Sequence, residues 1–329
     1  MGATTWSCLL ALSLLTLGEI RLVDRLLFSQ PAESEFVLRN IAGVLAGTPM
    51  WKAFQSRLLG PAMVAALDAV TGDRVRSLRL FGQLALAASN LLLFCLVRRR
   101  GGRSVTALLA VVCFGLVRVL LTFKLEYPWD GLDVLLFLAF GHWASIDGSL
   151  VRFSPLLLVA AFNHETALYI PLWYLLVPLD GPERATRGSR ESLIAVASMA
   201  VVAAFIVGLR NHLYVGRPAA PGQAFEPATP LIGNPMHLAH NLRQFFLEDW
   251  KAVTRVFISA TLLAALGALV LNVKRKVRVR ASVWSLCAIA CIFLFGYVNE
   301  TRLYLPVVAF WFSHAWPVAP RSHQPRPSS

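Results

Sequence analysis

The chain has 329 residues, of which 57% are hydrophobic and only 15% are charged, and its mean hydropathy is +0.61. An ordinary soluble domain has about 25% charged residues, so this composition excludes a soluble globular domain. The net charge of +13 does not indicate nucleic-acid binding, because the basic residues flank apolar blocks as the positive-inside rule predicts. The sequence therefore predicts an all-α polytopic transmembrane bundle whose partners are membrane lipids and not nucleic acid.

Apolar blocks alternate along the chain with charged or Gly/Pro-rich breaks. Each block is close to the roughly 20 residues that a helix needs to cross a bilayer. Their backbones must satisfy their own hydrogen bonds in lipid, so we expect them to be helices. The predicted spans lie near residues 3–22, 78–97, 104–123, 131–147, 192–209, 252–272, 281–298 and 301–318.

Residues 153–179 do not fit a single span, because two short apolar pieces flank a polar Asn-His-Glu-Thr tetrad. Either one long helix carries a polar centre, or two short helices form a hairpin. Basic clusters at 98–103, 184–190 and 274–280 all lie on the cytoplasmic side only if this segment is a hairpin. We therefore predict a bundle of about ten helices with both termini cytoplasmic.

The predicted domain organisation is a single transmembrane domain over residues 1–318. Long outer loops occupy residues 23–77 and 210–251, and residues 319–329 form a disordered cytoplasmic tail. Basic residues are mostly arginine, which is typical of a GC-rich bacterial genome. The predicted location is the bacterial cytoplasmic (inner) membrane.

Conspicuous polar residues fall on the outer side of this topology. Ionisable groups at membrane depth are costly, so they usually face a cavity and a partner. Interhelical salt bridges and helix caps are the structural alternative to a functional site. The candidate residues are Gln55, Arg57, Arg118, Tyr127, Asp130, Asp133, Asn163, His164, Glu165, Glu300 and Arg302.

The chemistry of these side chains suggests roles for them. Carboxylates are suited to general-base work or to a divalent ion, and arginines bind phosphate through bidentate hydrogen bonds. We assign catalytic roles to Asp130, Glu165 and Glu300, and substrate phosphate binding to Arg57, Arg118 and Arg302. Supporting roles are assigned to Gln55, Tyr127, Asp133, Asn163 and His164. We predict no metal site, and the cofactor requirement stays open.

Four short motifs carry a resemblance over residues 50–306. They are Gln-x-Arg-Leu-Leu-x-Pro from Gln55, Tyr-Pro-Trp-Asp from Tyr127, Asn-x-Glu-Thr from Asn163 and Asn-Glu-x-Arg-x-x-x-Pro from Asn299. Together they resemble a group of uncharacterised bacterial polytopic membrane proteins, in which an arginine commonly stands where this chain has His164.

The layout is more distantly similar to GT-C glycosyltransferases and polysaccharide polymerases. Those enzymes usually carry paired acidic residues in the first outer loop, and the nearest match here is Glu33-Ser-Glu35 or Asp24. The resemblance implies an enzyme that transfers or polymerises a polyprenyl-phosphate-linked sugar at the outer face. A transporter or flippase, and a non-catalytic component of envelope assembly, are the alternative functions.

Overall fold

The computed structural model describes residues 3–27, 31–48, 57–122, 126–145, 149–177, 189–214, 241–243, 275–295 and 301–314. All regular structure in these ranges is helical, which confirms the all-α class. The α-helices are α1 (Ala3–Leu27), α2 (Pro31–Leu45), α3 (Leu59–Thr71), α4 (Arg74–Arg99), α5 (Ser104–Leu121), α6 (Pro128–Ala144), α7 (Leu150–Asn163), α8 (Tyr169–Leu176), α9 (Ser189–Leu213), α10 (Arg275–Phe295) and α11 (Leu305–His314). Short 3₁₀ turns at Glu165–Leu168 and Thr301–Tyr304 precede α8 and α11.

Four helices are long and apolar enough to cross a membrane. They are α1 over Trp6–Arg25, α4, α5 and α9, with lengths of 18 to 26 residues. This agrees with four of the predicted spans. The predicted span at 252–272, the tail at 319–329 and most of the loop at 210–251 lie outside the described residues.

Helix α4 shows how the sequence sets the ends of a span. The Asp73 side chain accepts a hydrogen bond from the Arg76 N–H at 3.0 Å and caps the helix N-terminus. The helix ends at a run of arginines, which is followed by Gly101 with a φ of 88°, a conformation that favours glycine. The intervening residues are mostly apolar, so the charged residues mark both ends of the span.

The described part of the segment predicted as a long first loop, residues 23–77, is largely helical. It contains the end of α1, all of α2 and all of α3. Helix α3 packs against α4 and α6. A Cβ at Gly60 would lie 2.9 Å from backbone atoms of Pro128 and Trp129, so only glycine lets α3 approach the start of α6 this closely.

Helices α1 and α4 run antiparallel, and polar side chains join them. Gln83 of α4 donates to Asp24 of α1 at 3.0 Å, and Asn90 donates to Glu19 at 2.7 Å. Asn90 also donates to Thr16 at 3.3 Å. Position numbers rise in α1 as they fall in α4, so the end of α1 lies beside the start of α4.

Helix α6 is the centre of the bundle and packs against α3, α4, α7 and α11. The C-terminal half of α6 joins a cluster of buried aromatic rings. Trp173 of α8 lies 4.9 Å from Phe140 of α6 and 4.8 Å from Phe310 of α11, measured between ring centroids. Large buried rings contribute strongly to stability, so this cluster fixes α8 and α11 against α6.

The segment predicted as a hairpin is interrupted at its polar tetrad. Helix α7 ends at Asn163, His164 is extended with φ of −161° and ψ of 152°, and the 3₁₀ turn leads into α8. Phe153 near the start of α7 and Trp173 of α8 both lie 4.9 Å from the Phe140 ring. The two helices on either side of the tetrad thus contact the same level of α6.

Candidate functional site

The first turn of α6 organises the candidate site. Tyr127 is the N-cap and Pro128 the first helical residue, a position that proline suits because its missing N–H would be unpaired anyway. The Asp130 carboxylate accepts the Tyr127 N–H at 3.1 Å. The rings of Tyr127 and Trp129 stack at 4.6 Å with only 8° between their planes. The Tyr-Pro-Trp-Asp motif therefore forms a rigid turn that fixes the directions of the Tyr127, Trp129 and Asp130 side chains.

An arginine lies over each ring of this stacked pair. Arg302, in the 3₁₀ turn before α11, lies 4.4 Å from the Tyr127 ring centroid, and its Nε is 3.6 Å from Asp130 Oδ2. Arg57, just before α3, lies 5.5 Å from the Trp129 ring centroid. The two guanidiniums are the main positive charges that act on the Asp130 carboxylate, and Asp130 is itself only 4% exposed. Two cations therefore converge on one buried carboxylate.

Arg57 also pairs with Glu165, which opens the 3₁₀ turn after α7. Its Nη2 and Nε lie 3.3 and 3.4 Å from Glu165 Oε2. A main-chain hydrogen bond of 2.8 Å from the Leu58 N–H to the Phe162 carbonyl holds the start of α3 against the end of α7. The side chain of Arg57 is 4% exposed and that of Glu165 is 32% exposed, so the pair lies at the boundary between core and surroundings.

Asp133, one turn beyond Asp130, binds the polar tetrad to α6. Its carboxylate accepts hydrogen bonds from the Thr166 hydroxyl and, at 3.3 Å, from the Asn163 amide. The same Asn163 amide donates to the Trp129 carbonyl at 2.9 Å. These bonds satisfy a buried carboxylate that would otherwise be costly in an apolar interior. They also set the position of Glu165, which lies between Asn163 and Thr166.

His164 lies in the break between α7 and the 3₁₀ turn, outside the four candidate spans. Its Nδ1 accepts the Thr166 N–H at 3.2 Å, so that nitrogen carries no proton. Burial, together with the nearby Arg57 guanidinium, lowers the pKa of His164 to about 3. His164 is therefore neutral at pH 7 and acts as a hydrogen-bonding group, not as a cation.

A narrow cleft lies beside these residues. It encloses about 200 Å³ of empty space including its opening. The enclosed part of the cleft has no room for a water molecule, so a bound sugar phosphate would need the cleft to open. The cleft is lined by Asp130, Asp133, His164, Thr166, Arg302, Leu303, Leu305 and Pro306.

Arg118 belongs to a separate cluster on α5. Its guanidinium pairs with Glu126, and Glu19 of α1 is the next carboxylate that acts on it. Arg118 is 1% exposed and does not line the cleft. The sequence assigns Arg118 to phosphate binding with Arg57 and Arg302, but its partner differs from that of Arg57, which pairs with Glu165. Asp130 acts electrostatically on Arg118 as well, so the first turn of α6 lies between the two clusters.

The structure brings most of the sequence candidates together and leaves two undescribed. Asp130, Asp133, Glu165, Arg57 and Arg302, with Tyr127, Asn163 and His164, form one connected set. Gln55 and Glu300 lie outside the described residues.

Sequence reasoning did not single out Glu126, Glu19, Gly60 or Thr166 as site residues. Glu126 stands immediately before the Tyr-Pro-Trp-Asp motif, eight positions after Arg118. An acidic residue beside that motif was the signal that a buried arginine had a nearby partner. The partnership of Glu19 with Arg118 spans almost one hundred positions, and no local pattern indicates it.

Comparison with known proteins shows that the chain matches no family model, no curated protein and no solved structure. The geometry of the site is therefore the basis for inferring its function. Within the residues that the structure describes, no group of three or more His, Cys, Asp or Glu side chains is arranged to hold a metal ion.

Proposed function

We propose that the chain is a membrane-embedded glycosyltransferase or polymerase that acts on a polyprenyl-phosphate-linked sugar at the outer face of a bacterial inner membrane. One observation carries the proposal: Arg57 and Arg302 act on the buried carboxylate of Asp130, which lines a cleft together with Arg302. Guanidiniums suit the phosphate of a lipid-linked donor, and a carboxylate between them suits a general base. The motifs that resemble polytopic bacterial proteins lie in this same region.

The proposed reaction is a displacement at the anomeric carbon of the donor sugar. The acceptor hydroxyl oxygen forms a bond to that carbon, and the bond from the carbon to the phosphate oxygen breaks. Polyprenyl phosphate leaves with the electron pair, and Arg57 and Arg302 stabilise its charge. Asp130 takes the proton of the acceptor hydroxyl. Glu165 releases Arg57 to the phosphate, and Asp133 positions the tetrad.

The hairpin at 153–179 is part of the proposal. The contact of Phe153 and Trp173 with the same ring, Phe140, supports a chain that turns back at the tetrad. With the tetrad at the outer side, the basic cluster at 98–103 is cytoplasmic. Residue Val70 of α3, which is 85% exposed, then lies outside. A single cysteine at Val70, in a background without the native cysteines, should react with an impermeant thiol reagent in intact cells. Reaction only after permeabilisation would mean that the chain has the opposite orientation in the membrane.

The function is tested with the full-length chain and a synthetic polyprenyl-phosphate sugar, using a membrane extract to supply acceptors. Asp130→Asn should lower the release of polyprenyl phosphate by about 10²–10⁴-fold, which is the usual contribution of a general base. The matched control is Asp68→Asn, because Asp68 forms an Arg–Asp pair of 3.3 Å with the largely exposed Arg74, away from the cleft. Equal loss in both variants, or no release by the unaltered chain, would reject the proposed reaction.

A transporter or flippase is the second candidate. The observation that favours it is the break between α7 and α8, because discontinuous helices often form binding sites in transporters. Proteoliposomes decide between the two functions. Movement of a lipid-linked sugar across the bilayer without release of polyprenyl phosphate would favour transport.

A further inference from the structure

Glu19 of α1 carries a carboxyl group that the candidate site does not use. It lies within the candidate membrane span Trp6–Arg25. Its Oε2 accepts an N–H of the Asn90 amide at 2.7 Å, and the same amide nitrogen donates to the Thr16 hydroxyl at 3.3 Å. Asn90 itself is fully buried on α4. A charge at membrane depth is costly, so Glu19 needs either a cation or a proton.

Two buried oxygen atoms beside this hydrogen bond have no partner among the described residues. They are Glu19 Oε1 and Asn90 Oδ1. Each is bonded to the same carbon as one of the two hydrogen-bonded atoms, so each stands next to the bond. An ionised carboxylate and an amide oxygen can only accept hydrogen bonds, so neither satisfies the other. Buried acceptors without a donor are unfavourable, and native proteins nearly always supply one.

One proton on Glu19 Oε1 satisfies both oxygens at once. A protonated carboxyl group has an O–H donor, which Oε1 directs to Asn90 Oδ1. Its Oε2 continues to accept from the Asn90 amide nitrogen. The two hydrogen bonds then close a ring between a carboxylic acid and an amide. The second hydrogen of the amide nitrogen stays bound to Thr16.

The charges around Glu19 favour the same protonation state. Helix α4 contributes the uncharged Asn90, and the charged groups that act on Glu19 are Arg118 of α5 and Glu126 before α6. Arg118 is paired with Glu126 and makes its hydrogen bond there. This pair is already neutral, so an ionised Glu19 would add an uncompensated negative charge to the interior. A protonated Glu19 leaves the cluster neutral.

Helix α5 makes room for this carboxyl group. A Cβ built at Gly115 would lie 2.8 Å from the carboxyl carbon and Oε1 of Glu19, and 2.9 Å from its Oε2. The carboxyl group therefore packs directly against the α5 backbone, at a position without a side chain. Oε1 is buried there, so bulk water does not satisfy it.

We infer that Glu19 is a proton-binding site, which holds a proton on Oε1 at neutral pH and shares it with Asn90 in a cyclic pair that joins α1 to α4. Loss of the proton leaves a carboxylate oxygen facing an amide oxygen, so the attachment of α1 to α4 weakens as the pH rises. The inference is independent of the proposed transfer reaction, because neither residue lines the cleft.

The first test is the infrared difference spectrum between the purified unaltered chain and Glu19→Gln at neutral pH. Glutamine has the shape of a protonated glutamate and can make both hydrogen bonds to Asn90, so this variant should fold. The difference should contain the carbonyl band of a protonated carboxyl group and no carboxylate bands. Asn90→Leu should shift this band. The matched control Gln83→Leu should not, because Gln83 donates to Asp24 between the same two helices. Carboxylate bands in the first difference, or a band that Asn90→Leu leaves in place, would overturn the inference.

The second test is the pH dependence of folding in mixed micelles, and it decides even if Asn90→Leu does not fold. A glutamate in an unfolded chain has a pKa of about 4.3, so above that pH folding must take up a proton at Glu19. The folding equilibrium constant of the unaltered chain, divided by that of Glu19→Gln, should fall about tenfold per pH unit between about pH 5 and 7. A ratio that stays constant over this range would show that Glu19 binds no proton on folding and would overturn the inference.

Discussion

Gly60 is the position where a single added methyl group should disturb the whole candidate site. In Gly60→Ala the new Cβ would lie 2.9 Å from Pro128 and Trp129, and the atoms that it meets there include main-chain atoms, which cannot rotate away. Ordinary contact requires about 3.5–4.0 Å between carbon atoms, so α3 must move from α6 by roughly half an ångström or more. Overpacking of this kind costs about 1–3 kcal/mol.

The same movement displaces Arg57, which precedes α3 and contacts Trp129 and Glu165. The measurement is the free energy of unfolding in mixed micelles for Gly60→Ala and for the control Gly82→Ala. Gly82 lies within α4 with open space around its Cβ position, so alanine there should stabilise the helix by up to about 1 kcal/mol. Agreement of the two variants within about 0.5 kcal/mol would refute the close approach of α3 to α6.

Two further predictions concern buried polar pairs. Arg118→Leu should destabilise the protein by about 3–5 kcal/mol, because it leaves the Glu126 carboxylate buried without its partner. The double variant with Glu126→Gln should recover a large part of that loss, and a double variant as unstable as the single one would contradict the pairing. Thr166→Val should cost about 1–3 kcal/mol by removing the hydroxyl donor to Asp133, whereas Thr166→Ser should keep the hydrogen bond. Equal unfolding free energies for the Val and Ser variants would contradict this role.

The helical spans were predictable because lipid imposes their length and composition. For α5 the predicted range 104–123 and the observed Ser104–Leu121 differ by two residues at one end. Helix α1 extends to Leu27 instead of residue 22, because polar residues near its end find partners on α4, as Asp24 does in Gln83. Hydropathy alone ends the helix too early, since it counts those residues as exposed to lipid.

The contents of the first loop were not predictable from hydropathy. Helices α2 and α3 are 15 and 13 residues long, too short to register as spans. Their place in the fold depends on tertiary packing, in particular on the absence of a side chain at Gly60. The sequence indicated that Arg57 is a candidate site residue, but it did not indicate that α3, which follows Arg57, packs against α6.

The partners of the charged residues depend on which faces of the helices meet, so the sequence alone could not separate Arg118 from Arg57 and Arg302. Arg118 and Asp130 both lie near the first turn of α6, and Gly131 of that turn faces Arg118 and Glu126. A Cβ at Gly131 would be 3.4 Å from Arg118 Nη2 and 3.3 Å from Glu126 Oε1, so the Arg118 pair packs directly on the α6 backbone. Asp130 and Asp133 take part instead in the contacts to Arg302 and Thr166.

Successive residues on a helix point about 100° apart, so one turn of α6 can face two different clusters. The rigid Tyr127–Trp129 stack fixes that turn. Glu126, which pairs with Arg118, immediately precedes Tyr127. A change in one cluster that rotates this turn must therefore alter the other, since Asp130 and Glu126 are only four residues apart. Arg118 interacts electrostatically with Asp130 across this turn without lining the cleft itself.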